Sequence, residues 1–401
     1  MRVAIIGGGA GGFFSAIAVK SNHHDAEVVI FEKSKKVLAK VKVSGGGRCN
    51  VTNACADIKV LSQAYPRGGN FLKKAFGIFN TKHLMQWFES HNVPLVIQAD
   101  NHVFPKSQDS QSIIDCFLNE TKKKGIVIKT SCGIRSIKKV NTGLELSFSE
   151  HTQVFDKVII ATGGSPKRTG LEWLEDLGHT IIDPIPSLFT FNMPKEAIIS
   201  LMGIVVENAL VSVRGTKLKS NGPLLITHWG MSGPAILKLS AFGARILSET
   251  SYNFSIQVNW VNEVNSEKVH SEIIRLVEEQ GSKLMSNYRA YGLQDRLWQF
   301  LIQKCEFSKE TRWSNIGKKG VNKLVNILTN DIYEVNGKTT FKEEFVTCGG
   351  VSLSDIDVKT MQSKVTPNLY FCGEVMDIDG ITGGYNFQSA WTTGYIAGKL
   401  D

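Results

Sequence analysis

The chain opens with Met1 and then Arg2-Val3-Ala4-Ile5-Ile6-Gly7-Gly8-Gly9-Ala10-Gly11-Gly12, and this stretch decides the fold. Its apolar first half predicts a short strand, its glycines a turn, and residues 12–20 a helix. A second strand is predicted over 27–31, which completes a strand–helix–strand unit of roughly thirty residues. Because both strands are almost wholly apolar, we expect them to be parallel and covered by helices on both faces. The predicted fold class is therefore α/β.

The glycines follow the spacing Gly7-x-Gly9-x-x-Gly12, which is typical of dinucleotide-binding loops. Gly7 permits the tight turn, Gly9 lets a pyrophosphate approach the backbone, and Gly12 lets the helix pack closely on the strand. Ala10 and Gly11 open the helix, whose N-terminus offers free N–H groups and a partial positive charge to phosphates.

An acidic residue follows the second predicted strand. Glu32 comes twenty residues after Gly12, where a carboxylate accepts hydrogen bonds from the hydroxyls of an adenosine ribose. An acid at this place favours an unphosphorylated ribose, so the sequence predicts FAD or NAD rather than NADP. Lys33 follows directly and is predicted to lie on the same side of the site.

Two further glycine-containing segments favour FAD over NAD. Ala161-Thr162-Gly163-Gly164 follows a buried strand, and its small residues let a loop pass close to a dinucleotide. Near the C-terminus a strand ends at Gly373-Glu374, where a carboxylate can hold ribityl hydroxyls. Asp379 and Gly383-Gly384-Tyr385-Asn386-Phe387 then lead into a helix, whose N-terminus can stabilise negative charge on a reduced flavin. An NAD enzyme has no need for this second site.

A third glycine loop carries the most specific pattern, Lys40-x-x-x-Ser44-Gly45-Gly46-Gly47-Arg48-Cys49-Asn50-Val51-Thr52-Asn53. Arg48 can neutralise a pyrophosphate or the O2 side of a flavin. Ser44, Asn50 and Thr52 can supply neutral hydrogen-bond donors. The glycines allow a ligand to come close to the backbone.

This loop resembles the signature of the bacterial BaiN/YhiN-like flavoproteins, a family that includes aminoacetone oxidases and a bile-acid reductase. Val103-Phe104-Pro105 and the segments 227–234, 349–352, 360–364 and 373–394 are similar to family segments as well. The resemblance covers nearly the whole chain and is weakest over 266–330. Asn101-His102 and Lys42 depart from the family pattern.

The resemblance implies a Rossmann-type FAD-binding domain, with an inserted β-barrel-like and helical domain that covers the flavin. From the motifs and the resemblance together, the predicted cofactor-binding residues are Gly7, Gly9, Ala10, Gly11, Gly12, Glu32, Lys33, Lys40, Ser44, Gly45, Gly46, Arg48, Cys49, Asn50, Thr52, Ile134, Ala161, Thr162, Gly163, Gly164, Gly373, Glu374, Asp379, Gly383, Gly384, Tyr385, Asn386 and Phe387.

Two side chains are candidates for chemistry at the flavin. Cys49 is either a redox-active thiol or a small buried filler. His228 lies in Thr227-His228-Trp229-Gly230-Met231-Ser232-Gly233-Pro234. It is either a general acid near the flavin or a residue that satisfies local backbone groups.

The character of the sequence changes near Pro184, Pro186 and Pro194, and glycine motifs return near Gly349. We therefore predict that an FAD-binding domain consists of residues 1–188 and 346–401. The predicted insertion, 189–345, comprises a β-barrel-like part over 189–262, a helical part over 263–330 and return strands over 331–345.

Composition limits the remaining classes. The seven scattered cysteines contain no C-x-x-C pair, so we expect reduced thiols, a cytoplasmic location and no zinc or other metal site. No run of eighteen apolar residues occurs, which argues against a membrane span. The net charge of +9 leaves nucleic acid open as a partner, but the cations are scattered, so the sequence disfavours it.

The function that the sequence favours is an FAD-dependent oxidoreductase. We expect hydride transfer between a small-molecule substrate and flavin N5, with NADH or NADPH as a transient electron donor. A flavin-dependent nucleic-acid-modifying enzyme and a non-catalytic flavin-binding protein are the two alternatives.

We expect the purified protein to be yellow and to release about one FAD per chain. Three features point to that dinucleotide: the glycine fingerprint, Glu32 and the segment from Gly373 to Asn386. Chromatography and absorption spectroscopy of denatured, flavin-replete protein measure the identity and the amount of the cofactor. Release of NAD alone, or of FMN, would contradict the interpretation of all three motifs.

Overall fold

A computed structural model describes residues 1–339 and 346–401, which fold into two compact units. The first unit contains Met1–Ser187 and the described C-terminal residues 346–401. The second unit contains the described residues 188–339. Each unit has a hydrophobic core of its own.

The strands and helices of the described residues alternate along the chain. The strands are β1 (Arg2–Ile6), β2 (Glu27–Phe31), β3 (Thr52–Asn53), β4 (Leu95–Ile97), β5 (His102–Pro105), β6 (Val127–Lys129), β7 (Ser136–Val140), β8 (Gly143–Ser147), β9 (Thr152–Phe155), β10 (Lys157–Ile160), β11 (Ile181–Ser187), β12 (Thr190–Asn192), β13 (Val205–Val213), β14 (Lys219–Thr227), β15 (Gly230–Ser232), β16 (Asn253–Asn259), β17 (Asp331–Asn336), β18 (Lys338–Thr339), β19 (Val346–Val351) and β20 (Leu369–Phe371). The α-helices are α1 (Ala10–Asn22), α2 (Ala39–Val43), α3 (Ile58–Gln63), α4 (Gly69–Ala75), α5 (Thr81–Ser90), α6 (Gln111–Lys123), α7 (Glu172–Glu175), α8 (Pro234–Glu249), α9 (Ser266–Gln280), α10 (Asp295–Lys304), α11 (Gly317–Asn330) and α12 (Tyr385–Ala397).

A five-stranded sheet in the order β20-β10-β1-β2-β6 forms the centre of the first unit, and its neighbouring strands are parallel. Val3 to Ile6 are buried, as expected for a strand with both faces covered. Strand β10 lies between β1 and β20, so the C-terminal strand joins the sheet that the N-terminal strand began. The sheet confirms the predicted α/β class with a Rossmann-type domain.

Three smaller antiparallel sheets surround the parallel sheet in the first unit. Their strand orders are β3-β5-β4, β7-β8-β9 and β11-β19. In the first of them Thr52 is paired with Val103 and Asn53 with His102, which joins the 44–53 loop to β5. Helices α1 and α12 pack against one another beside the parallel sheet.

The second unit is built on a seven-stranded sheet in the order β17-β16-β13-β14-β15-β12-β18. The two ends of this order, β17 and β18, are consecutive pieces of one chain segment with only Gly337 between them. Because β17 pairs with β16 while β18 pairs with β12, the sheet closes on itself. Helices α9, α10 and α11 contribute buried apolar residues to the same core, including Trp298.

The segment 189–262 differs from its prediction, because it contains the sixteen-residue helix α8 among its strands. Glycine and proline are typical of turns, but here Gly233 stands just before the helix and Pro234 is its first residue. Proline suits that first position because its missing N–H has no partner in a helix anyway. Ile236, Leu239 and Leu247 then bury one face with helical spacing.

The predicted return strands over 331–345 are described only as far as residue 339, and 340–345 lie outside the described residues. No helix in the described ranges is long and apolar enough to cross a membrane.

His179 is a buried histidine in the first unit, with 2% of its surface exposed. Ser363 Oγ accepts from the backbone N–H groups of Val365 and Thr366, at 3.0 and 2.8 Å. Its own hydrogen is then available to His179 Nε2, 2.7 Å away, while Nδ1 lies 3.1 Å from the Leu174 carbonyl. This pattern suits the neutral imidazole, and burial lowers the pKa of His179.

We expect the first unit to lose stability as pH falls from 7.5 through the ordinary histidine range near about 6.5. The unfolded chain takes up a proton at His179 before the folded chain does, so lower pH favours unfolding. Urea unfolding of wild type and of His179→Gln across this range measures the effect, with exposed His24→Gln as the control. Equal pH dependence in wild type and His179→Gln would contradict the assignment.

Candidate cofactor-binding site

The fingerprint loop lies at the carboxyl end of β1 and leads into α1. A Cβ atom on Gly12 would lie 1.9 Å from the Gly7 carbonyl oxygen, so only glycine allows the helix to begin this close to the turn. Gly9 stands before the helix without a side-chain cap, and a Cβ added there would meet no atom within 4 Å. The helix N-terminus therefore presents an open backbone surface that suits phosphate.

Glu32 holds the fingerprint loop in place. One carboxylate oxygen accepts from the Gly8 N–H at 2.8 Å and the other from the Ser34 N–H at 2.7 Å. Each oxygen keeps a further acceptor position, so the carboxylate can still accept from ribose hydroxyls. The backbone of Glu32 also joins the 131–134 loop, because its carbonyl accepts from Cys132 N–H at 2.8 Å.

Lys33 and Ile134 belong to two neighbouring segments of the first unit, the stretch just after β2 and the 131–134 loop. Lys33 is exposed, and its Cβ packs against Gly133, where an added Cβ would lie 3.1 Å away. Ile134 is half-buried against the core of the first unit. Lys33 therefore lies against the loop whose Cys132 N–H donates to the Glu32 carbonyl, and Ile134 belongs to that loop.

The 44–47 loop turns through glycines in left-handed conformations, with φ of 57° at Gly45 and 68° at Gly46. Cβ atoms on Gly46 or Gly47 would meet nothing within 4 Å, so one side of the loop is open. Arg48 stacks its guanidinium on the Phe104 ring, 4.2 Å from the centroid, and donates from Nε to the Gly45 carbonyl at 3.2 Å.

Ser44 and Thr52 have hydroxyls that already donate within the protein. Ser44 Oγ donates to the Val41 carbonyl at 2.9 Å, and buried Thr52 Oγ1 donates to Gln388 Oε1 at 2.6 Å. Each hydroxyl has one hydrogen to donate, and that hydrogen is already used in a bond within the protein. A role of these hydroxyls as donors to the ligand stays a prediction.

Asn50 connects the loop with the C-terminal turn. With its amide oriented to suit its neighbours, it donates to the carbonyls of Thr52 and Val103 at 2.9 and 3.2 Å. Its oxygen then accepts from Gly384 N–H at 3.3 Å. A Cβ atom on Gly384 would lie 2.5 Å from the Thr52 carbonyl carbon, so only glycine permits this contact.

The C-terminal turn is held by the chain's own polar groups. The Asn386 amide accepts from Gly380 N–H at 2.8 Å and donates to the Gly380 carbonyl at 2.9 Å. The Tyr385 carbonyl accepts from Tyr65 Oη at 2.7 Å, and the Phe387 ring stacks on Trp391. The side chain of Asn386 therefore fixes the turn ahead of α12.

Glu374 brings together three of the predicted segments. Its carboxylate pairs with Lys40 Nζ at 3.0 Å and accepts from Thr347 N–H at 3.0 Å. A Cβ atom on Gly164 would lie 2.9 Å from Glu374 Oε1, so the 161–164 segment approaches the same carboxylate. Ala161 in turn adjoins the fingerprint, since a Cβ on Gly7 would lie 2.3 Å from its carbonyl oxygen.

Asp379, whose role in cofactor binding stays a prediction, has a carboxylate bonded to partners within the protein. The side chain is fully buried, and both carboxylate oxygens pair with Arg67, whose Nε lies 2.5 Å from Oδ1. Ser187 Oγ donates to Oδ2 at 2.7 Å. Burial raises the pKa of Asp379, and the Arg67 guanidinium opposes that rise. The carboxylate is therefore committed to bonds within the protein.

The two catalytic candidates have contrasting surroundings. Cys49 is fully buried, and burial raises its pKa to about 12, so the thiol stays protonated. A nucleophilic cysteine needs an accessible thiolate, so these properties favour the small buried filler. His228 belongs to the second unit, where it is exposed in the two-residue turn between β14 and β15. Its catalytic role stays a prediction.

Three residues at the site escaped the sequence analysis. Arg67 is the partner of Asp379, and Thr347 donates to Glu374. His102 Nδ1 lies 3.0 Å from Asp100 Oδ2, and its Nε2 would lie 2.7 Å from a Cβ on Gly383. Only His102 gave a signal in the sequence, as a departure from the family pattern within 101–105.

The residues present fit a dinucleotide with a flavin. Four glycines offer backbone surfaces on which an added Cβ would meet no atom within 4 Å: Gly9 in the fingerprint, Gly46 and Gly47 in the 44–47 loop, and Gly163. The Thr347 hydroxyl is buried beside Gly164 and has no hydrogen-bond partner among the described residues. Open glycine surfaces and an unpartnered buried hydroxyl are what a bound polar ligand would use.

The fold and the glycine loops define a protein with a Rossmann-type domain whose open loops suit a dinucleotide. The family model described as HI0933-like protein Rossmann domain matches residues 1–400, and the chain belongs to that family. This membership confirms the resemblance that the glycine motifs indicated.

Curated relatives match over nearly their whole length. The 3-dehydro-bile acid delta(4,6)-reductase of Clostridium scindens is 26% identical and covers 99% of this chain and 98% of its own. The ribosomal RNA dihydrouridine synthase of Escherichia coli is 28% identical and covers 98% of this chain and 96% of its own.

Among solved structures, the fold is similar to that of the 3-ketosteroid-delta4-(5alpha)-dehydrogenase of Rhodococcus jostii. That match has a TM-score of 0.52 at 12% identity and covers 99% of this chain and 96% of the other. At this identity the similarity concerns the fold alone.

We expect Asp379→Asn to lower the free energy of unfolding of the first unit by about 3–5 kcal/mol, because it leaves the Arg67 charge buried without its partner. Urea unfolding of the protein without cofactor measures the loss. The double variant Arg67→Met/Asp379→Leu removes both charges and should recover much of it.

Arg168→Met, at an exposed ion pair with Glu175 and Asp183 in the first unit, is the matched control for this prediction. It should lower the free energy of unfolding far less than Asp379→Asn, because solvent screens an exposed pair. A loss as small as this for Asp379→Asn would show that the buried pair contributes little.

Proposed function

We propose that this chain reduces a carbon–carbon double bond conjugated to a carbonyl group, with bound FAD and with NADH or NADPH as electron donor. The observation that carries the proposal is the set of open glycine backbone surfaces in the first unit, which suit a dinucleotide. The sequence contains a single G-x-G-x-x-G, so the nicotinamide nucleotide would bind only transiently.

The names of the two relatives support the choice of bond. The name 3-dehydro-bile acid delta(4,6)-reductase describes the reduction of double bonds conjugated to a ring ketone. The name dihydrouridine synthase describes the reduction of the 5,6 double bond of a uracil ring. In both rings a carbonyl can take up the negative charge that forms when hydride adds to the far carbon. The proposed bond type is common to both substrates although their sizes differ greatly.

The proposed reaction is balanced by one hydride and one proton. NADH or NADPH loses a hydride and is oxidised, while the substrate gains a hydride at one carbon and a proton from solvent or an acid at the other. FAD supplies the redox chemistry when it is bound. The protein's part would be to bind and orient the cofactor: the α1 N-terminus would hold the pyrophosphate, Glu32 the ribose, and the α12 N-terminus the flavin.

The substrate class that we favour is a small molecule with a conjugated ketone. We propose that the reaction takes place in the cytoplasm. Ribosomal RNA is the second candidate, because a relative of equal coverage is named for it and because the net charge of +9 suits a polyanion. RNA therefore ranks higher here than the scattered cations alone suggested.

Anaerobic mixing with NADPH or NADH, followed by addition of substrate, tests the proposal. We expect the flavin absorbance near about 450 nm to bleach with a nicotinamide nucleotide and to return with a conjugated ketosteroid or with protein-free ribosomal RNA. The product should be two hydrogens heavier by mass spectrometry. The steroid and RNA arms separate the two substrate classes.

The matched controls are a saturated ketosteroid and RNA in which uridine is already reduced. Neither should restore the flavin absorbance. Reoxidation by oxygen alone, with every conjugated substrate inactive, would contradict the reductase and favour an oxidase.

A further inference from the structure

Thr347 is a buried residue of β19 that no sequence motif marked as a ligand. Only 1% of its surface is exposed, and its Oγ1 has no hydrogen-bond partner in the part of the chain that the structure describes. Its backbone N–H donates to Glu374, and the residue lies opposite Pro186 in the pairing of β19 with β11. The hydroxyl therefore stands on a paired strand and makes no hydrogen bond to any described residue.

The position of this hydroxyl links it to the cofactor segments. A Cβ atom on Gly164 would lie 2.2 Å from Thr347 Oγ1 and 2.9 Å from Glu374 Oε1. Only a glycine at 164 leaves room for the hydroxyl, so hydroxyl, carboxylate and loop backbone meet at one place. Gly163 next to it is open, because an added Cβ there would meet no atom within 4 Å.

A buried hydroxyl without a partner lowers the free energy of unfolding, because its hydrogen bonds to water are lost on folding and no bond within the protein replaces them. Valine has nearly the same shape as threonine and would fill the site without that cost. A hydroxyl at this place is best explained by a polar ligand that completes its hydrogen bonding. Its neighbours, Gly164 and Glu374, belong to two of the segments predicted to contact the dinucleotide.

We propose that Thr347 Oγ1 binds the hydroxylated and phosphorylated chain of FAD, donating to an oxygen of its ribityl or pyrophosphate part. This inference rests on the proposed FAD site and adds to it a residue whose role is binding. A hydroxyl suits both chemistries, because it donates to a phosphate oxygen and both donates to and accepts from a ribityl hydroxyl.

The experiment compares Thr347→Val with wild type in two measurements that should move in opposite directions. Flavin fluorescence titration of the apoprotein gives the FAD dissociation constant, which should rise about tenfold, or about 1.4 kcal/mol. Thermal unfolding of the same apoprotein should give a higher midpoint for the variant, because an unsatisfied hydroxyl has been removed.

Two further variants serve as controls. Thr347→Ser keeps a hydroxyl and should bind FAD more tightly than Thr347→Val. Ser220→Ala removes the other buried unpartnered hydroxyl of the described residues, which lies in the second unit, and should leave the dissociation constant of FAD unchanged.

An unchanged FAD dissociation constant in Thr347→Val would overturn the inference, whether or not the apoprotein becomes more stable. So would a variant whose apoprotein is less stable, since that outcome assigns the hydroxyl a bond within the folded chain. Failure of the wild-type protein to bind FAD would instead overturn the proposed function, so the two failures are distinguishable.

Discussion

The parallel pairing of β1, β10 and β20 is the constraint on which the rest of the site depends. These strands belong to the start, middle and end of the chain, and their carboxyl ends lie at one edge of the sheet. The segments that follow them are the fingerprint, the 161–164 loop and Gly373-Glu374. Because the carboxyl ends of neighbouring parallel strands lie side by side, the strand pairing alone places three glycine-containing segments at one edge of the sheet.

Most polar groups around this edge are used to hold the loops rather than left free. Glu32 binds backbone N–H groups of the fingerprint, and Asn386 binds the backbone of Gly380. Asp379 is paired with Arg67, and Glu374 with Lys40. Such bonds fix the loops before a ligand arrives, so less conformational entropy is lost on binding. What remains open is mainly backbone surface at the glycines.

This arrangement suits a cofactor that carries its own reactivity. The protein needs only to orient the dinucleotide and to supply a suitable electrostatic surrounding, which helix N-termini do without titratable groups. Cys49 agrees with this division, since its buried thiol contributes packing close to the loop backbone. One such site can therefore serve relatives with very different substrates.

The sequence by itself determined the α/β class, the first strand–helix–strand unit and the places where the chain turns close to a ligand. Apolar periodicity and glycine spacing are local signals, and they can be interpreted without knowing which distant residues the segment contacts. For the same reason the strand 158–160 and the glycine turn before α12 could be predicted from a few consecutive residues.

Only the tertiary structure decided what each polar side chain does. Asp379 is a buried ion-pair partner because Arg67, more than three hundred residues earlier, reaches it. Thr347 matters because β19 places its hydroxyl against Gly164. Helix α8 begins directly at the turn residues Gly233 and Pro234, and its apolar face packs into the core of the second unit. Burial and hydrogen-bond partners come from residues remote in sequence, so no local pattern contains them.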